Sequence, residues 1–206
     1  MTETLAMFPL HTVLFPGVAI PLHVFEPRYR ALTRDCLDGD RRFGVVLIER
    51  GSEVGGGDVR SMVGTVARIA EAAELPDGRW FLMTVGVERL AVQQWLADDP
   101  YPRAEVDLLE EPVAGPAASE RSRDVERLLR RALALKAELG EPAPPATVDL
   151  DPDPAVAAYQ AAALAPLGPF DCQRLLEVAG PDERLAALAE ILSEELVVLA
   201  RRAAGG

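Results

Sequence analysis

The chain has 206 residues, of which 49% are hydrophobic, with two cysteines and a formal net charge of −12. This supplies a real core for one large domain or two small ones. The acidic balance argues against a nucleic-acid partner, since phosphate binding needs clustered Lys and Arg, and no apolar run is long enough to span a bilayer.

The first segment, Phe8 to Arg30, is dense in apolar residues yet broken by Pro9, Pro16-Gly17 and Pro21. This reads as short strands joined by tight turns, with no signal peptide ahead of Phe8. Val18, Ile20, Leu22 and Val24 alternate with period two, the pattern of a strand with one buried face. Pro27 suits a first helical position, and Tyr29, Leu32, Cys36 and Leu37 then fall on one helical stripe that Gly39 stops. Phe43–Ile48 reads as a short buried strand. Glu49–Asp58, with three consecutive glycines, reads as a loop. Ser61–Ala73 and Arg79–Val87 are β-rich and flank the turn signal Leu75-Pro-Asp-Gly78. Arg89–Leu96 and Arg103–Leu109 supply the last strands.

Residues 112–118, with Pro112, Gly115 and Pro116, read as a linker. A helix opens at Ser119 and carries Val125, Leu128, Leu129, Ala132, Leu135 and Leu139 at helical spacing, with Gly140 as its end. Glu141–Pro154 is an exposed proline- and acid-rich connection. A shorter helix follows near Ala155–Ala165, another from about Asp171, and a last one from Pro181 with Leu185, Leu188, Leu192, Leu196 and Leu199 along one stripe. Strands first and helices after predict an α+β fold. Its division is a β-rich lobe over 1–111, the linker, and a helical lobe over 119–206.

The segments Phe8-Pro-Leu, Leu14-Phe-Pro-Gly17, Ile20-Pro-Leu-His23 and Phe25-Glu-Pro-Arg-Tyr29 resemble the opening of the Lon protease N-terminal, substrate-binding domain family. The resemblance continues in order through Phe43–Ile48, Val63-Gly-Thr-Val66, Leu75–Arg79, Val85-Gly86 with Arg89, Pro100-Tyr101 with Ala104-Glu-Val106, Gln173–Glu177 and Glu183–Leu185. It implies a PUA-like β-barrel lobe holding one helix, followed by a helical lobe, as in stand-alone bacterial proteins of this kind. It also implies a non-catalytic module that recognises unfolded or degron-bearing polypeptides alongside a protease system, and the lack of a signal peptide or spanning run makes a reducing cytoplasm the expected setting.

The residues agree with a binding role. An ATPase would need a Gly-x-x-x-x-Gly-Lys-Ser/Thr loop, and Gly55-Gly-Gly57 leads to Asp58 instead. The family's peptidase needs a Ser-Lys dyad, yet the only lysine, Lys136, lies on an amphipathic helix. His11 and His23 lack companions for a metal site, and Cys36 and Cys172 read as buried free thiols. Asp149, Asp151 and Asp153 lack the glycine and glutamate of a calcium loop. Arg127, Arg130 and Arg131 read as a salt-bridged helix face, and Arg89 as an ion-pair partner of Glu26. No cofactor is expected. Binding needs exposed apolar surface on a rigid scaffold. The candidates are Pro21, His23, Leu75 and Trp80, with Trp95 and Tyr101 beside a groove between the lobes. That groove also serves the alternative, an enzyme or small-ligand binder.

Overall fold

A computed structural model describes residues 2–51 and 58–205. The glycines of the expected loop, 55–57, lie outside the described residues. The chain forms two compact units, Met1–Glu110 and Glu111–Gly206.

The first unit contains β1 (Thr2–Leu10), β2 (Ala19–Val24), α1 (Pro27–Asp38), β3 (Arg42–Arg50), β4 (Val59–Glu74), β5 (Trp80–Trp95) and β6 (Arg103–Leu109). The strands form one mixed sheet in the order β2-β5-β4-β3-β1-β6, and the second half of β5 also pairs with β6. Only β1 and β3 run parallel. The expectation of a barrel is corrected here to a six-stranded mixed sheet in which β2 is an edge strand paired with β5. Proline lacks the N–H that a strand with two neighbours must donate, so Pro21 suits that edge.

Inside this unit, Phe8, Leu22, Val24, Tyr29, Leu32, Phe43, Ile69 and Leu82 share a core, with the Phe8 and Tyr29 rings stacked 4.1 Å apart. Helix α1 supplies Tyr29, Leu32 and Cys36 to it and ends at Gly39, as its apolar spacing predicts. A second cluster joins Leu5, Met7, Val46, Val66, Leu90, Val92 and Val106.

Two expected strands, Arg79–Val87 and Arg89–Leu96, are one unbroken β5. Gly86 does not end a strand. It lets the backbone of Phe15 cross the sheet, because a Cβ there would lie 2.2 Å from the Phe15 carbonyl oxygen. Gly86 N–H donates to Val18 O and Gly17 N–H to Gly86 O, both at 2.9 Å.

The second unit contains α2 (Ala118–Glu138), α3 (Pro154–Leu164), α4 (Pro169–Glu177) and α5 (Pro181–Gly205). Helix α2 buries Val125, Leu129, Ala132 and Leu133, and α5 buries the expected leucine stripe from Leu185 to Leu199. Asp153 caps α3 by accepting from Ala155 N–H at 2.9 Å. Arg184 is fully buried. Its guanidinium lies 4.0 Å over the Tyr159 ring and donates to Glu111 Oε1 (2.6 Å), Leu175 O (3.1 Å) and Val178 O (2.7 Å). A charge there needs such pairing to offset its desolvation. On α2, Arg127 pairs with Asp124, and Arg130 with Glu126 and Asp149.

Candidate peptide-binding face

Register places the side chains. In β2 and β5, Ala19 lies opposite Val85, Pro21 opposite Met83 and His23 opposite Phe81. On the far side of β5, β4 extends these rows with Arg68, Glu71 and Ala73. Residues two apart on a strand share a face, so these three rows form one patch. Within it Pro21, His23, Phe81 and Met83 are exposed, Phe81 by 51%. Phe25, also half exposed, continues the patch beyond the end of β2. The His23 ring stacks on Phe81 with centroids 4.6 Å apart and planes inclined by 17°, and Phe25 lies 6.0 Å from His23. The patch is apolar and aromatic at its centre, with Arg68 and Glu71 along the β4 side.

Beside the free edge of β2 runs a groove of about 150 Å³. Phe8, Leu10 and Tyr29 line it from β1 and α1, and Pro21 to Glu26 from the strand itself. Among the described lining residues the one acidic group, Glu26, pairs with Arg28 at 3.1 Å in place of the expected Arg89. Arg28 in turn lies 4.5 Å over the Tyr29 ring. Burial pushes the Tyr29 hydroxyl up to about 12, so it stays a neutral hydrogen-bonding group.

Of the six residues expected from sequence, only Pro21 and His23 lie on this patch. Leu75 is half-buried, because the turn folds back through Leu75 N–H to Arg79 O (2.8 Å) and Gly78 N–H to Leu75 O (2.8 Å). Trp80 has the opposite phase to Phe81 on β5 and packs against the core with Leu82. Its Nε1 is buried. Trp95 lies under the Arg60 guanidinium, 4.6 Å from the ring centroid. Tyr101 donates to Asp35 Oδ2 at 2.7 Å, and burial together with that bond pushes its hydroxyl up to about 12. Phe25, Phe81 and Met83 were missed. The alternation Trp80-Phe-Leu-Met-Thr84 carries the signal, with both phases apolar and only the even one claimed by the core.

Among the described residues, no group of three or more His, Cys, Asp or Glu side chains converges to hold a metal ion. No described helix is long and apolar enough to cross a membrane. Both cysteines are free.

Comparison with known proteins assigns the family. Residues 4–194 match the model of the ATP-dependent protease La (LON) substrate-binding domain. The chain is 32% identical to Lon protease 2 of Herpetosiphon aurantiacus over 96% of its own length and 24% of that protein's. It is 28% identical to Lon protease of Dictyoglomus thermophilum over 96% and 25%. Thus the chain spans about a quarter of the length of these curated relatives. A Lon N-terminal domain protein from Xanthomonas campestris superposes with a TM-score of 0.68 at 30% identity, covering 90% of this chain and 96% of that one. The N-terminal domain of Mycobacterium avium complex Lon protease matches in fold, with a TM-score of 0.69 at 18% identity over 93% and 98%. The chain belongs to the Lon substrate-binding domain family.

Proposed function

We propose that this domain binds unfolded or degron-bearing polypeptides, without catalysing a reaction on them, through the exposed patch on β2 and β5. The observation that carries this reading is the side-by-side exposure of Pro21, His23, Phe25, Phe81 and Met83 on a rigid sheet. An aromatic cluster left open to water is unfavourable unless something covers it. Aromatic and methionine side chains also dominate protein contact surfaces. Family membership supports a substrate-recognition role, with protein substrates and a protease system as partners in the cytoplasm. In this reading residues 1–111 act as a PUA-like β lobe and residues 119–206 as a helical lobe, with 112–118 as the linker.

The test is the fluorescence anisotropy of a labelled unfolded chain, such as reduced and carboxymethylated α-lactalbumin. Titration with the wild-type domain should raise the anisotropy. Phe81→Asp should weaken binding by about tenfold, the effect of losing one central contact. Equal binding by both proteins would overturn the reading.

A further inference from the structure

The peptide-recognition reading leaves open how a chain would lie on the domain, and the hydrogen-bond phase of β2 bears on that. Gly86 N–H donates to Val18 O. In an antiparallel ladder such bonded pairs alternate with unbonded ones. The register then makes Ile20–Thr84, Leu22–Leu82 and Val24–Trp80 the bonded pairs, and Ala19–Val85, Pro21–Met83 and His23–Phe81 the unbonded ones. The close stacking of His23 on Phe81 agrees, since unbonded pairs bring side chains closer. Pro21 agrees as well, because it falls in the phase that donates nothing to β5. The backbone N–H and C=O groups of Ala19 and His23, and the C=O of Pro21, therefore face away from β5.

β2 pairs with no second strand among the described residues. Its free edge opens onto the groove lined by Phe8, Leu10 and Tyr29. No charged side chain interrupts Ala19–Val24 to protect the edge; Pro21 blunts it by one outward N–H, yet leaves its own carbonyl and both backbone groups of Ala19 and His23 open.

From this geometry, and resting on the reading above, we infer that the occupant of this site is an extended, apolar, uncharged polypeptide segment that adds to the sheet as a strand along β2. Such a segment exchanges backbone hydrogen bonds with Ala19 and His23 and donates one to the Pro21 carbonyl. Its alternate side chains separate to the two sides. One set enters the groove against Leu22, Val24 and Tyr29, and the other extends the patch of Pro21, His23 and Phe81. The charge of the site selects the occupant. Glu26 is paired with Arg28 within the groove, so among the described residues lining it neither an acidic nor a basic peptide side chain meets a spare opposite charge to offset its desolvation.

The test uses a short fluorescent peptide of alternating phenylalanine and threonine and two N-methylated forms of it. One form is methylated at the odd residues and the other at the even ones. A strand on β2 uses the N–H groups of one phase only. One form should thus lose about tenfold or more in affinity while the other binds like the parent. Equal affinity for all three, with Phe81→Asp still weakening each, would overturn strand addition and leave the recognition reading intact. No binding of the parent peptide, together with no effect of Phe81→Asp on the unfolded chain, would remove both. Replacing the threonines with lysine or glutamate should weaken binding. Tighter binding of either charged form would overturn the neutral occupant.

Discussion

The imidazole of His23 lies flat on the ring of Phe81, 4.6 Å between centroids, on a sheet face where both are exposed. Two facing aromatic rings on adjacent strands make a broad and stiff contact surface that loses little side-chain entropy when covered. His23→Ala should leave the fold intact and weaken binding of the unfolded chain by about threefold to tenfold, in line with the worth of an aromatic pair. Anisotropy titration and circular dichroism check the two halves of that statement.

Trp80 should behave in the opposite way. It is on the core side of β5, packed with Leu82 and Val24. Trp80→Ser should lower the urea unfolding free energy by about 2 kcal/mol or more, as loss of a large core side chain does. Peptide affinity of the molecules still folded should stay near wild type. A well-folded variant with lost binding would place Trp80 in the contact surface.

Arg184 is the keystone of the helical unit. Its fully buried guanidinium ties Glu111 to the C-terminal end of α4 through Leu175 O and Val178 O. Arg184→Met removes one donor from the Glu111 carboxylate, which the Tyr159 hydroxyl still serves, and one donor from each of the two carbonyls. The Glu111 carboxylate is partly exposed and can be hydrated, so the expected loss is about 2–3 kcal/mol, the cost of leaving buried carbonyls short of a donor. A change below about 1 kcal/mol in urea titration would refute this role.

Gly86→Ala should also destabilise. The new methyl would meet the Phe15 carbonyl oxygen at 2.2 Å, a backbone atom that cannot swing aside. A loss of roughly 1–3 kcal/mol is expected from such overpacking, read as a lower urea midpoint.

Stability should fall in alkali. Burial raises the Cys36 thiol from 9.0 to about 12 and the Tyr29 hydroxyl from 10.0 to about 12. Both groups are neutral when protonated, so the folded state holds its protons longer than the unfolded chain. Their contribution is therefore complete below about pH 9 and is lost as the pH rises toward 12. The urea midpoint should drop over that window and drop less in Cys36→Ala. Cys36 Sγ also donates to Arg42 O at 3.2 Å. In the native protein it should resist iodoacetamide at neutral pH.

Much of the fold was legible because its signals are local. Pro27 and Gly39 bracket α1, the alternation from Val18 to Val24 marks β2, and the leucine spacing marks α5. What failed depends on distant chain. The break expected between Val87 and Arg89 is absent because β5 passes from pairing with β2 to pairing with β6, and no local signal announces that change of partner. The sheet order is likewise a tertiary fact: that β2 pairs with β5 alone among the described strands is something Pro21 only hints at. The site was half legible for the same reason. Pro21 and His23 announce an edge and an outward phase. Phe81 and Met83 look like core in sequence because hydrophobicity alone cannot say which phase of a doubly apolar strand faces water.

The central claim is that polypeptide binds on β2 and β5. Amide chemical-shift mapping tests it most directly, by titrating the labelled domain with the alternating phenylalanine–threonine peptide. The account predicts that the largest shifts fall on residues 19–25 and 81–85, with His23 and Phe81 among them, and little change in α2 to α5. Shifts concentrated instead around Trp95 and Tyr101, or in the helical unit with residues 19–25 unmoved, would contradict it.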